Sequence, residues 1–131
     1  MVIASCGPDS NIKNDSRDKT RGQDSTVRVR AYLETYESGK HIFKQHCEYC
    51  HGTPQARDVQ IFDHVFDRMP QPSEDFFARF VQDSKKLKLV GDKYALSLDS
   101  KFDSNYEHNF KDSLTRNDIK DLILYIKVEV N

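Results

Sequence analysis

Cys47-Glu48-Tyr49-Cys50-His51 decides how this chain is read. Two thiols three positions apart are followed at once by an imidazole. The thiols can add to the two vinyl groups of a haem, and the adjacent His51 can turn inward and bind the iron. Two thioether bonds and one coordinate bond would keep such a cofactor from diffusing away. The pentapeptide therefore predicts one covalent haem c on Cys47 and Cys50, with His51 as the proximal iron ligand. Other readings stand behind it. A zinc site would need further soft or imidazole ligands in a second cluster. The remaining cysteine, Cys6, lies far upstream among polar residues, no HxxxH follows, and a ligand set confined to His46–His51 would be cramped. A thioredoxin-like redox pair needs a βαβ setting that the flanking sequence does not offer. The plain alternative is a chance CxxC on a helix.

Outward from the motif, composition sets the frame. A chain of 131 residues is one domain with room for a tail. Hydrophobic residues make up 37% and charged residues 31%, and the mean hydropathy is −0.77. So little apolar material folds marginally unless something else is buried, and a porphyrin would supply the missing core. The formal net charge of −1 leaves no excess of Lys and Arg to neutralise phosphates, which argues against a nucleic-acid partner. No apolar run approaches the roughly 18 residues of a membrane-spanning helix.

The N-terminus is a different kind of polymer. Residues 7–26 read GPDSNIKNDSRDKTRGQDST, with Ile12 the one large apolar side chain. Such a segment cannot bury enough surface to offset its ordering entropy, so residues 7–30 are expected to form a flexible polar tether. A tether of about 20 residues reaches roughly 25 Å. Just before it stands Val2-Ile3-Ala4-Ser5-Cys6-Gly7, which resembles the lipobox of bacterial lipoproteins: an aliphatic residue, two small residues, then the cysteine that carries lipid. A full signal has a basic stretch and an apolar core upstream, so this reading implies a longer leader than the five residues before Cys6. The organisation expected is a lipobox remnant at 1–6, the tether at 7–30, and a folded domain at 31–131.

Within the folded part, every pattern is helical. Val29, Tyr32, Leu33, Tyr36, Ile42 and Phe43 recur at threes and fours, predicting a helix from Val27 into the motif, with Ser38-Gly39 as a place to break or bend. Gly52-Thr53-Pro54 closes it. Residues 58–68 form a short helical piece, and Pro70-Gln71-Pro72 is a break. Ser73 is expected as an N-cap, with Phe76, Phe77, Phe80 and Val81 on the apolar face behind it. Another helix begins near Asp92 and buries Tyr94, Ala95 and Leu98, and residues 99–109 read as a loop. Thr115-Arg116-Asn117-Asp118 is a capping box with Asp in place of Glu. Ile119, Leu122, Ile123, Ile126 and Val130 follow it at helical spacing.

With those elements placed, residues 35–127 resemble the small monohaem class I cytochromes c of bacteria. Gly39 and Phe43 stand before the motif where that family carries a glycine and then a large aromatic. Leu114-Thr115 followed by Leu122 and Tyr125 matches its last helix. The resemblance implies an all-α fold of about four to five helices wrapped around one covalent haem. A glycine without a side chain lets the first and last helices cross closely, and Phe43, Leu122 and Tyr125 would interlock there. It also implies an electron carrier, not an enzyme, that meets redox partner proteins. Its place would be the periplasm or the outer face of a bacterial envelope, held to the membrane only through a lipid on Cys6.

One departure from the family concerns the sixth iron position, usually filled by a methionine shortly before the final helix. Here the only methionines are Met1 and Met69. Met69-Pro70 is the right dipeptide but lies eighteen residues after His51 and far from the last helix. In the usual place stands Tyr106-Glu107-His108-Asn109-Phe110, so His108 is the expected distal ligand and Met69 the runner-up. Otherwise the sixth site is open or weakly held and shaded by Tyr106, with gas binding, sensing or peroxide chemistry as the alternative function. His64 is expected to be structural.

Overall fold

The computed structural model of the chain describes residues 17–56, 61–102 and 106–130. Among the described residues all regular structure is helical: α1 (Arg17–His46), α2 (Glu48–His51), α3 (Val65–Arg68), α4 (Ser73–Leu89), α5 (Lys93–Phe102) and α6 (Arg116–Val130). The six exceed the four to five expected because α2 and α3 are single turns flanking the motif loop. The all-α fold class stands. No described helix is long and apolar enough to cross a membrane.

Residues up to Ala31 separate from a second unit, Tyr32–Asn131, which contains every candidate site residue except Cys6. Cys6 and the lipobox lie outside the described residues. Helix α1 starts at Arg17, inside the stretch read as a flexible tether. Local polar pairs support it: the Thr26 hydroxyl donates to the Gly22 carbonyl at 2.9 Å, and Arg28 pairs with Asp24 one turn away at 3.1 Å. Residues 22–34 are exposed throughout. Over residues 22–30 the exposure agrees with the low apolar content, and a solvent-facing helix is compatible with that.

Helix α1 passes through Ser38-Gly39 without a break, because the glycine serves a crossing and not a bend. A Cβ on Gly39 would strike the Asp121 carbonyl oxygen and stand 2.6 Å from its carbon and 2.8 Å from the Tyr125 Cβ. Only a residue without a side chain admits the α6 backbone at this distance. Around the crossing, the Tyr125 ring packs against Tyr36 (centroids 5.4 Å apart) and Phe43 (5.5 Å). Phe43 and Leu122 are each 1% exposed, so the interlock expected from the sequence forms. The Tyr36 hydroxyl and the Gln55 amide both donate to the Glu129 carboxylate, clipping the end of α6 to α1 and to the loop after the motif.

The capping box also forms. Thr115 Oγ1 accepts from the Asp118 amide at 3.2 Å, and Asp118 Oδ2 accepts from the Thr115 amide at 2.7 Å. The hydrogen bonds from Thr115 hold the Asp118 carboxyl below its ordinary pKa. Ile119, Leu122, Ile123 and Ile126 of the predicted stripe are buried.

Two local expectations shift. Pro72, not Ser73, occupies the N-cap of α4, and no side chain caps it. Helix α5 runs to Phe102, into the stretch read as a loop, and its Asp99 receives Lys88 of α4 at 2.7 Å. Asp92 supplies the α5 cap, accepting from the Ala95 amide at 2.8 Å. Helix α4 packs against α3, α5 and α6.

Candidate cofactor site

Helices α1 to α6 leave a cavity of about 410 Å³, within the rough 300–1,000 Å³ range of cofactor sites. Its lining is mainly apolar and includes Phe62, Val65, Phe80, Val81, Leu122 and Ile126. Cys47, Cys50, His51, Met69 and His108 all line it, so the fold gathers every sequence-predicted residue of the described region.

The motif side is built by local helix geometry. The Cys47 amide donates to the Phe43 carbonyl at 2.8 Å, and the His51 amide to the Cys47 carbonyl at 3.0 Å, so α2 continues α1 after a small offset. One turn of helix sets Cys47, Cys50 and His51 at neighbouring positions. Gly52 ends it at φ 65°, in the left-handed region where a side chain would be strained. The His51 ring meets Phe62 edge-on, with centroids 5.3 Å apart.

The opposite side is built by a break. Asp83 has φ −160° and ψ 80°, which interrupts α4. An unbroken helix would pair the Val81 and Gln82 carbonyls and the Ser84 amide within itself. Here the segment after Tyr106 takes them. The Ser84 amide donates to the His108 carbonyl at 3.0 Å, the Phe110 amide to Val81 at 3.2 Å, and the Lys111 amide to Gln82 at 3.2 Å. The Ser84 hydroxyl accepts from the His108 amide at 2.8 Å. Asp83 caps the second half of α4, accepting from the Lys86 amide at 3.0 Å. His108 is thereby seated in the cavity among Phe80, Tyr106 and Phe110, not as an exposed loop histidine.

The two imidazoles face each other. The His51 and His108 ring centres are 5.9 Å apart and their planes 9° from parallel. Two imidazoles bound to one metal from opposite sides, through nitrogens about 2 Å away, have centres roughly 6 Å apart, so the spacing admits a single iron. Both Nδ1 atoms are buried without a hydrogen-bond partner. The polypeptide alone therefore leaves one buried nitrogen of each ring without a partner, a costly arrangement for a closed core. Burial pushes His51 below the ordinary histidine pKa. Burial, then the charge of His51 and then that of Lys88, push His108 down to about 4. Both rings are thus held neutral, the form that coordinates metals.

The competing uses of the motif fare poorly. Burial, and then the charge of Cys50, raise the Cys47 thiol to about 12, the reverse of the depressed thiol of a redox-active CxxC. Among the described residues no group of three or more His, Cys, Asp or Glu side chains is arranged to hold a metal ion without a porphyrin. Met69 is buried in the apolar core at the end of α3. His64 is exposed at the left-handed start of α3 (φ 50°), its ring 3.2 Å from Asp67. Sequence reasoning missed Ser84 and Arg68. Ser84 falls in register with Phe77, Phe80 and Val81 on the apolar face of α4, and a serine at such a position was the available signal. Arg68 lines the cavity with its guanidinium held by the Ile61 and Asp63 carbonyls at 2.6 and 2.9 Å.

The family pattern described as Cytochrome c matches residues 36–128, well over half of the chain. No curated protein and no solved structure matches the chain significantly. The chain belongs to the cytochrome c family. Its cofactor is accordingly haem c, covalently bound and carrying iron, and its general function is electron transfer with redox partner proteins.

Proposed function

We propose that this cytochrome c is a bis-histidine electron carrier of the bacterial envelope. Cys47 and Cys50 hold the haem by thioethers, His51 is the proximal ligand, and His108 is the distal one. Haem c supplies a one-electron iron couple. The chain's own residues shield it: apolar walls exclude water, and two neutral imidazoles leave no position for an external ligand. The observation that carries this reading is the near-parallel pair of His51 and His108 rings, 5.9 Å apart across the cavity. Imidazole in place of methionine lowers the reduction potential, so the domain works at the low end of the family's range. Cytochrome c domains generally carry electrons, and on that basis the domain is read as a carrier, not an enzyme.

The chemistry of the motif and of Cys6 supports this location. Thioether attachment takes place outside the cytoplasm, and Cys6 in its lipobox-like setting is the anchoring residue. Residues 7–30 then link the membrane surface to the redox domain.

Intact-mass spectrometry of native protein should give polypeptide plus one haem. Its ferric spectrum should be low-spin, without the near-infrared band of sulfur ligation. That band would transfer the sixth position to Met69, and free carbon monoxide binding by the native ferrous form would favour the open-site alternative. Recovery of full-length protein from the soluble fraction with an unmodified Cys6 would remove the anchor.

A further inference from the structure

We propose that Ser84 is a positioning residue for the distal ligand: the break in α4 at Asp83 turns its amide and hydroxyl outward to clamp the backbone of His108. The proposal rests on His108 being the sixth ligand. Ser84 is 0% exposed and is the one buried polar residue among the described residues. A helical serine ordinarily returns its hydroxyl to a carbonyl one turn earlier. This one accepts from the His108 amide at 2.8 Å, while its own amide donates to the His108 carbonyl at 3.0 Å. Both polar backbone groups of a single residue are therefore met by a single partner, twenty-four positions away in sequence.

The surrounding contacts do different work. Phe80, Tyr106 and Phe110 pack on the His108 ring, but ring faces slide, and packing alone does not fix a loop along its length. The amides of Phe110 and Lys111 anchor the chain beyond the ligand. Ser84 anchors the ligand residue itself. Removing its hydroxyl leaves a buried N–H without a partner, and the arrangement relaxes by letting residue 108 move off. An iron with two strong ligands admits an external ligand only when one of them leaves, so entry of that ligand times the release of His108.

The test uses full-length holoprotein and carbon monoxide binding to the ferrous form by stopped flow, with ferric spectra and thermal melts alongside. Native protein should bind slowly, and Ser84→Ala should bind on the order of 10-fold faster while its ferric spectrum stays mainly low-spin. Leu87→Ala, a buried change on the same helix away from the cavity lining, should lower the melting temperature and leave the rate alone. Equal acceleration by Leu87→Ala would reduce Ser84 to general stability and overturn the proposal. An unchanged rate in Ser84→Ala, with His108→Ala opening the iron, would also overturn it while sparing the ligand reading. A His108→Ala protein that stays low-spin and closed would remove both. If Ser84→Ala yields no holoprotein, amide hydrogen exchange on the native protein decides. Strong protection of the His108 amide supports the clamp, and exchange at the rate of a free loop overturns it.

Discussion

The two faces of the cavity are made in opposite ways. On the proximal side, Cys47, Cys50 and His51 sit within five consecutive residues, and one helical turn suffices to bring them together. On the distal side, His108 depends on α4 being broken twenty-five residues earlier, at Asp83, and on backbone bonds crossing that gap. Under the proposed ligation the proximal half is fixed by local geometry and two thioether bonds, and the distal half by tertiary hydrogen bonds of modest individual strength. The lesson is one of robustness. Disturbance of the fold should release the distal ligand long before it disturbs the proximal one.

The largest expected effect falls on the covalent side. Cys47→Ala with Cys50→Ala should leave the chain without its central packing element, so that folded protein fails to accumulate in cells able to mature c-type cytochromes. Immunoblotting against total expression checks this. Normal accumulation of soluble, helical apoprotein would mean that the polypeptide core is self-sufficient and that the contrast between the two faces is overstated.

On the distal side, His108→Ala should keep the haem attached yet convert the ferric spectrum to high-spin, while Met69→Leu leaves the spectrum as it was. Loss of covalent haem in His108→Ala would erase the difference between a removable and a fixed ligand.

Gly39→Ala probes the scaffold beneath the proximal side. In an ordinary helix the change stabilises by about 1 kcal/mol. Against the Asp121 backbone it should instead destabilise by roughly 1–3 kcal/mol, because neither helix can yield without opening the Phe43–Tyr125 contact. Chemical denaturation monitored by circular dichroism gives the sign directly.

Asp118→Asn should have the smallest effect, below about 1 kcal/mol, in the first turn of α6. Because its folded carboxyl titrates below the ordinary value, its contribution is complete above the unfolded pKa. That contribution fades as pH falls through the folded one. The stability difference between native and variant should therefore close in acid.

Much of this was legible in the sequence. The pentapeptide points to a covalent haem, the cofactor of the family to which the chain belongs, and Thr115-x-x-Asp118 with its apolar stripe describes α6 almost to the residue. Gly39 and Phe43 are interpretable because family resemblance supplies the partner helix that spacing alone does not. The break in α4 was not legible: Ser73–Leu89 carries neither Gly nor Pro, and the apolar face runs straight through it. Its cause is tertiary. The segment 108–111 competes for the backbone groups of 81–84 and wins them, with Asp83 capping what remains. The same reason hid Ser84, since a serine on an apolar face gives no hint of which distant amide it meets. The early start of α1 was missed for a different reason, because low apolar content measures burial and not helicity.

The clip at the end of α6 gives the molecule an alkaline limit. With Tyr36 donating to the Glu129 carboxylate, and with further help from burial, the phenol is raised to about 12. In the unfolded chain it ionises near the ordinary tyrosine value of about 10. The folded state therefore holds its proton longer, and the stability this provides is intact below the lower value and drains away as pH climbs to the upper one. Past that point a phenolate faces a carboxylate across the α1–α6 crossing. Melting temperatures followed through this window should fall more steeply in the native protein than in Tyr36→Phe, which has no proton to lose.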